Sequence, residues 1–162
     1  MGVTRAPDVP SGVVLRPMVA ADVDAVLAVQ RAAFAIEARL YDDPLLPPLL
    51  ESRDELLADL EHTRGLVALD GDRLVGSVRV RVDGPSLHIA RLAVAPDQQG
   101  RGLGALLLAR AEAVAVATEA LLFTGHLSAS NLRLYARAGY TEQRRSPVDE
   151  RVTLVYLRKS LS

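Results

Sequence analysis

The stretch that decides the fold is Ala93-Val-Ala-Pro-Asp-Gln-Gln-Gly-Arg-Gly-Leu-Gly-Ala105. The apolar run Leu87 to Ala95 reads as a strand, and Pro96 stops it. Glycines then stand at alternate positions, Gly100, Gly102 and Gly104, and a helix begins at once, with Leu103, Leu107, Ala111 and Val114 on one stripe. Alternating glycines weaken a helix start, so they call for a reason other than helix stability. They leave backbone N–H groups unshielded where first-turn donors lack partners and the dipole end is positive. Such a turn is an anion site; a pyrophosphate is its natural ligand, and Arg101 would add charge.

Upstream of the loop the pattern is that of a meander. Gly65 to Leu69 and Arg73 to Val82 flank Asp70-Gly71-Asp72, a hairpin signal of the type I′ class. The second run alternates with period two, which predicts a strand with one face in the core. Before it, Val13 to Arg16 reads as a first strand and Ala20 to Leu40 as a helix, with Asp22 and Asp24 in its first turn. Pro47-Pro48 predicts an extended link, and Ser52-Arg-Asp-Glu55 a capping box opening a second helix. Downstream, Gly102 to Thr118 reads as a long helix, Ala120 to Thr124 as a strand, and Ser128 to Ala138 as a helix capped by Gly139. Tyr140 to Arg144 and Arg151 to Leu157 close the chain as strands. The expected fold is α/β: a short tail over residues 1–11, then one domain over 12–162. Its sheet is mixed and mostly antiparallel, flanked by helices, in the order β-α-α-β-β-β-α-β-α-β-β.

Composition removes whole classes of chemistry. The 162 residues include no cysteine, so no disulfide, thiolate metal site or cysteine nucleophile exists on this chain. The 19 basic and 20 acidic residues give a net charge of −1, which offers no reason for a nucleic-acid partner. No run of residues has the length and apolarity of a membrane span, and the first residues lack a signal-peptide core. A cytoplasmic protein is the expectation. Three scattered histidines with no H-E-x-x-H give no metal site, and no G-x-S-x-G marks a serine nucleophile.

Two ligands compete for the glycine loop. Gly100-x-Gly102-x-x-Ala105 matches the dinucleotide fingerprint G-x-G-x-x-G/A. That fingerprint normally opens the first βαβ unit, whereas here hairpin-linked strands come first. The nearest ribose-binding acid, Glu119, also precedes its strand. By contrast, Gln99-Gly-Arg-Gly-Leu-Gly104 matches Q/R-x-x-G-x-G/A behind Leu92-Ala-Val-Ala-Pro96. This resembles the acyl-CoA loop of the GCN5-related N-acetyltransferase (GNAT) family, over roughly Val13 to Lys159.

The resemblance implies the acyl-CoA N-acyltransferase fold and acetyl-CoA as co-substrate, with no metal. It implies a cofactor site of Leu92, Ala93, Val94, Gln99, Gly100, Arg101, Gly102, Leu103, Gly104 and Ala105. The pyrophosphate would lie on the loop N–H groups and the pantetheine arm along Leu92 and Val94, as an added strand would. The Val94 N–H would stabilise the oxyanion. Asn131-Leu-Arg-Leu-Tyr-Ala-Arg-Ala-Gly-Tyr140 resembles the family's second signature, and implies that Tyr135 protonates the departing thiolate, with Asn131 as a further cofactor contact. Ser128 stands where the family often has asparagine. Glu37, His88 and His126 are all open as the general base. The implied acceptor is the amine of a small molecule or peptide, and homodimers are frequent in the family. A non-catalytic acyl-CoA-binding sensor of the same fold is the alternative.

Overall fold

The computed structural model describes residues 9–161; of the expected tail, residues 1–8 lie outside the described residues. Strand β1 (Val13–Pro17) leads through a 3₁₀ turn, Ala20–Asp22, into helix α1 (Val23–Tyr41). Asp22 fixes this junction: its carboxylate accepts from the Val19 N–H at 2.8 Å and from the Arg16 guanidinium at 2.8 Å. Asp42, in the left-handed region at φ 49°, ends α1. The expected extended link is instead a helical turn, α2 (Pro47–Leu50). Proline at the first helical positions has the required φ, and its missing N–H would have had no partner there. Helix α3 (Arg53–Asp59) carries the capping box: Ser52 Oγ accepts from the Glu55 N–H at 3.1 Å, and Glu55 Oε1 from the Ser52 N–H at 3.2 Å.

The meander follows as β2 (Arg64–Asp70), β3 (Arg73–Asp83) and β4 (Ser86–Val94). At its first turn Gly71 has φ 62° but Asp72 does not have positive φ, so the turn is of the II′ rather than the I′ class. Then come α4 (Leu103–Ala113), β5 (Glu119–Gly125), α5 (Ala129–Arg137), β6 (Thr141–Pro147) and β7 (Thr153–Ser160). Helix α4 stops short of the expected Thr118. Val114, Val116 and Thr118 are β-branched and lose side-chain freedom in a helix, and Val116 is fully exposed, with no packing to compensate.

The seven strands form one sheet in the order β1-β2-β3-β4-β5-β7-β6. Every pairing is antiparallel except β4 with β5, which α4 connects as a crossover. The sheet is therefore not doubly wound, which removes the dinucleotide reading of the glycine loop. Helices cover both faces. Leu66 and Ala68 join the core under α4 and α5, whereas Val67 between them joins Val23, Val26, Leu27 and Leu56 under α1 and α3.

This two-sided cover corrects the expectation for β3, which is buried without a break from Leu74 to Val80. Arg79, on the face expected to be polar, is only 3% exposed. It donates to Glu51 at 2.6 and 3.0 Å, to Asp59 at 2.7 Å and to Gln30 Oε1 at 3.1 Å, while Gln30 donates to Glu51 at 3.0 Å. The network ties α1, the α2–α3 link and α3 to the middle of the sheet. Burial pushes the Glu51 carboxyl up, but hydrogen bonds from Arg79 and Gln30 outweigh it and hold the group below its ordinary range. Arg79→Met strands a buried carboxylate and is expected to cost about 3–5 kcal/mol of unfolding free energy. A depressed carboxyl stabilises above its unfolded pKa and ceases to as pH falls through the folded value. The gap between wild type and variant in urea melts should thus be widest near neutral pH and narrow below about pH 4.

The remaining irregularity makes the site. β4 and β5 pair only at Ser86–Glu119, Leu87–Ala120 and His88–Leu121, then diverge. β4 carries a bulge where its register against β3 jumps, Ser77 facing Ala93 and Arg79 facing Ala90. Arg91 sits in that bulge in the left-handed region, φ 56°. The extra residue bends β4 away from β5 and leaves one edge of the strand bare.

Candidate active site

Beyond the bulge the strand is regular again. The Ala95 N–H donates to Val75 O on β3 at 2.8 Å. Alternation then turns the backbone groups of Val94 and Leu92 to the opposite edge, toward the gap. Val94 O receives the Gln99 amide at 3.4 Å, from that side. The chain next makes a 3₁₀ turn, Pro96–Gln98, and enters the glycine loop. Gly102 is the N-terminal cap of α4 with φ 80°, a conformation that admits glycine without strain. The first bond of the helix runs from the Leu106 N–H to Gly102 O at 3.0 Å. Among the described residues the N–H groups of Gly100 to Ala105 make no backbone hydrogen bond. A Cβ at Gly100 or Gly102 would meet nothing within 4 Å, and both glycines line an open cleft. At Gly104 a Cβ would press on Leu134 at 3.3 Å; this glycine lets α5 approach the loop.

The loop is braced from the tip of the β2–β3 hairpin. Arg73 grips Asp97 with two bonds of 2.8 and 2.7 Å, and this pairing holds the Asp97 carboxyl at about 2. Arg101 is turned the same way: it donates to Asp70 at 2.9 Å and to Gln98 at 2.6 Å. Its charge is engaged at the hairpin and is not on the wall of the cleft, contrary to the expectation that it adds charge at the phosphate site. The cations that do line the cleft are Arg137 and Lys159.

Two cavities open from the gap between β4 and β5. The first, 720 Å³, runs along Leu92 to Val94 and the glycine loop, with α5 as its far wall. The second, 1170 Å³, lies beneath α1 and α2 and over the splayed strands. They share five lining residues: Phe34, Glu37, Leu92, Ser128 and Asn131. Tyr135 lines the second cavity and not the first. It is buried, edge-on to Tyr140 with ring centroids 6.1 Å apart. Burial raises its phenol above the ordinary value, and the Glu37 charge raises it further. Asn131 donates to Thr124 Oγ1 at 3.3 Å.

A hydroxyl chain holds Glu37 at the junction. The Leu127 N–H donates to the Tyr41 oxygen at 3.0 Å, Tyr41 and Ser128 share a hydrogen bond of 2.7 Å, and Ser128 Oγ donates to Glu37 Oε2. Since the one Ser128 proton goes to Glu37, the Tyr41 proton goes to Ser128, and the chain runs one way, toward the carboxylate. Gly125 makes room for it, because a Cβ there would collide with the Tyr41 hydroxyl. Ser128 therefore does not cap α5 with its side chain. Of the other base candidates, His126 is engaged in the β5–β7 pairing, its Nδ1 accepting from the Thr153 N–H at 3.0 Å. His88 lines the second cavity, at the last residue pair before the strands part. Tyr41 carries no motif in the sequence; its place depends on where α1 ends and on a distant glycine. Among the described residues no group of three or more His, Asp or Glu could hold a metal, and no helix is long and apolar enough to cross a membrane.

Comparison with known proteins agrees with this geometry. Among solved structures the fold matches the PaiA N-acetyltransferase from Thermoplasma acidophilum in complex with coenzyme A. The TM-score is 0.75 and the identity 16%, over 92% of this chain and 99% of that one. It also matches the ribosomal-protein-S18-alanine N-acetyltransferase from Escherichia coli, with TM-score 0.74 and 18% identity over 93% and 94%. A third match is YncA from Salmonella typhimurium with its cofactor acetyl-CoA, with TM-score 0.74 and 19% identity over 94% and 95%. No curated protein matches the chain significantly in sequence. The family description "Acetyltransferase (GNAT) family" matches residues 33–140, the span that carries the bare β4 edge, the glycine loop and Tyr135. The chain belongs to the GNAT acetyltransferase family.

Proposed function

We propose that the chain transfers an acetyl group from acetyl-CoA to an amine that attacks the thioester directly. The observation that carries this reading is the meeting of two cavities at Glu37, beside a bare strand edge and a row of unpartnered N–H groups. The loop fits a pyrophosphate because its donors are free and no side chain fills the space before them. The edge of Leu92 and Val94 fits a pantetheine arm, whose amides need backbone-like partners. With the donor in the first cavity, its thioester would lie at the junction, and the Val94 N–H would face the carbonyl oxygen as negative charge develops.

The acceptor enters through the second cavity. Glu37 takes the proton that the nitrogen loses, through the oxygen that Ser128 leaves free. Tyr135, with its raised phenol, stays protonated and serves the leaving sulfur as a hydrogen-bond donor. Full proton transfer from so weak an acid is the less favourable course. With no cysteine on the chain, a thioester on the protein has no attachment point.

The test is incubation with acetyl-CoA and a broad amine panel, read as free thiol and as N-acetyl product. Binding of acetyl-CoA with no product from any amine would favour the sensor alternative. Tyr135→Phe is expected to lower turnover about 10- to 100-fold, the worth of one hydrogen bond to a charged sulfur, with acetyl-CoA affinity within about twofold. Unchanged turnover would leave Tyr135 a packing residue.

A further inference from the structure

The second cavity is lined by more arginine than an amine pocket needs. Three of its arginines are already engaged. Arg79 is held by Glu51 and Asp59, Arg81 lies 3.7 Å from Asp83, and Arg144 stacks 3.9 Å over the Tyr156 ring. Arg91 differs. Among the described residues it has no carboxylate in ion-pair contact, and its guanidinium makes no hydrogen bond, although it is half-buried in the cavity wall. The nearby acids act on it through their charge alone and are bonded elsewhere: Glu51 accepts from Arg79 with both carboxylate oxygens, and Asp59 Oδ2 accepts from Arg79 and Thr63. The remaining acids lining the cavity are Asp43, engaged by the Leu45 N–H, Asp149, engaged by the N–H groups of Arg151 and Val152, and Glu37 at the junction. The two histidines in the wall are His62 and His88. Arg91 also holds a left-handed backbone, which a non-glycine residue adopts at a cost, and such strain collects at functional positions.

We propose that Arg91 receives a carboxylate of the acceptor, so that the acceptor class is an amine that also carries a carboxylate. This rests on the acetyltransferase reading above. A planar guanidinium with five donors and no protein acceptor matches the two oxygens of a carboxylate. Glu37 and Arg91 then read the two ends of one molecule, ammonium at the junction and carboxylate at the bulge. In the transfer the amine nitrogen gains a bond to the acetyl carbon as the C–S bond breaks. The nitrogen loses two protons through Glu37, one that frees the bound ammonium for attack and one as the tetrahedral intermediate collapses. The sulfur departs as thiolate and takes up one proton from solvent to give the free thiol, so one proton is released net. The product keeps its carboxylate and has lost its positive charge.

The test uses matched pairs that differ only in the carboxylate: phenylalanine with phenethylamine, leucine with isoamylamine, lysine with cadaverine. Each is assayed at saturating acetyl-CoA, and each is titrated by NMR into CoA-loaded protein. The carboxylated member is expected to show kcat/KM about 10- to 100-fold higher, mostly through KM. Arg91→Met should collapse the difference within each pair. Arg91→Gly should collapse it too while relieving the backbone strain, so loss of fold cannot account for the result. Arg91→Lys should restore part of it, as a point charge without the fork. Equal rates within the pairs, or a difference that survives in Arg91→Gly, would overturn the proposal while leaving the acetyltransferase reading intact. If no amine is acetylated at all, that reading fails, and the titrations decide on Arg91 alone: tighter binding of the carboxylated members, lost in Arg91→Gly, supports the site, and equal binding overturns it.

Discussion

Glu37→Gln is expected to lower kcat for the amine by about 10²- to 10⁴-fold, the usual worth of a positioned general base. Glutamine has nearly the same shape and can still accept the Ser128 hydrogen bond through its carbonyl, so the hydroxyl chain from Tyr41 should persist. What it cannot do is take a proton. The loss should therefore fall on kcat, with KM for acetyl-CoA unchanged within about twofold, and should shrink as the assay pH rises and more free amine is present. A wild-type rate in this variant would move the base elsewhere, and His88, which borders the same cavity, would be next. Gly125→Ala would separate position from chemistry: it keeps a carboxylate at residue 37 but displaces the Tyr41 hydroxyl that begins the chain holding it.

Gly102→Glu should lower the affinity for acetyl-CoA at least about 100-fold, since a carboxylate would stand in front of the donors meant for a phosphate. The space there is open, so no clash arises on folding. The backbone cost of a side chain at φ 80° is about 1–2 kcal/mol. Gly102→Ala bears that cost without the charge and serves as the control: a small loss of melting temperature and a much smaller loss of affinity. Calorimetric titration with CoA reads both variants, and unchanged affinity in Gly102→Glu would reduce the loop to a helix start.

The features legible in the sequence were local ones. The glycine loop declares itself because alternating glycines at a helix start have no structural advantage. The Ser52–Glu55 box and the Gly71 turn are set within a few residues, and they appear where the pattern puts them. The features that were not legible depend on partners far along the chain. Period two in β3 suggested water on one face, but α1 and α3 return over it and enclose Arg79 with acids 20 and 28 residues away. The Glu37–Ser128–Tyr41 chain spans 91 residues at its longest step and needs a glycine opposite the tyrosine. Arg101 looked like a phosphate ligand because it lies between glycines; the hairpin tip, which supplies Asp70, takes it instead. Pro47-Pro48 predicts an extended link, yet proline is equally at home in a first helical turn, and the structure has one there.

The short ladder between β4 and β5 has a consequence for how the molecule comes apart. Among the described residues the three pairs of this ladder, with the Thr118 and Glu119 N–H groups bonded to Pro85 O at its near end, join the β1–β4 half of the sheet to the β5–β7 half, and beyond them the two strands have no backbone pairing. Such a seam is the natural boundary between units that open separately, so amide hydrogen exchange should rank the two halves apart. A ligand lying in the gap with bonds to the β4 edge would act as a missing strand. Its occupancy would then govern whether the protein unfolds in one cooperative step or two.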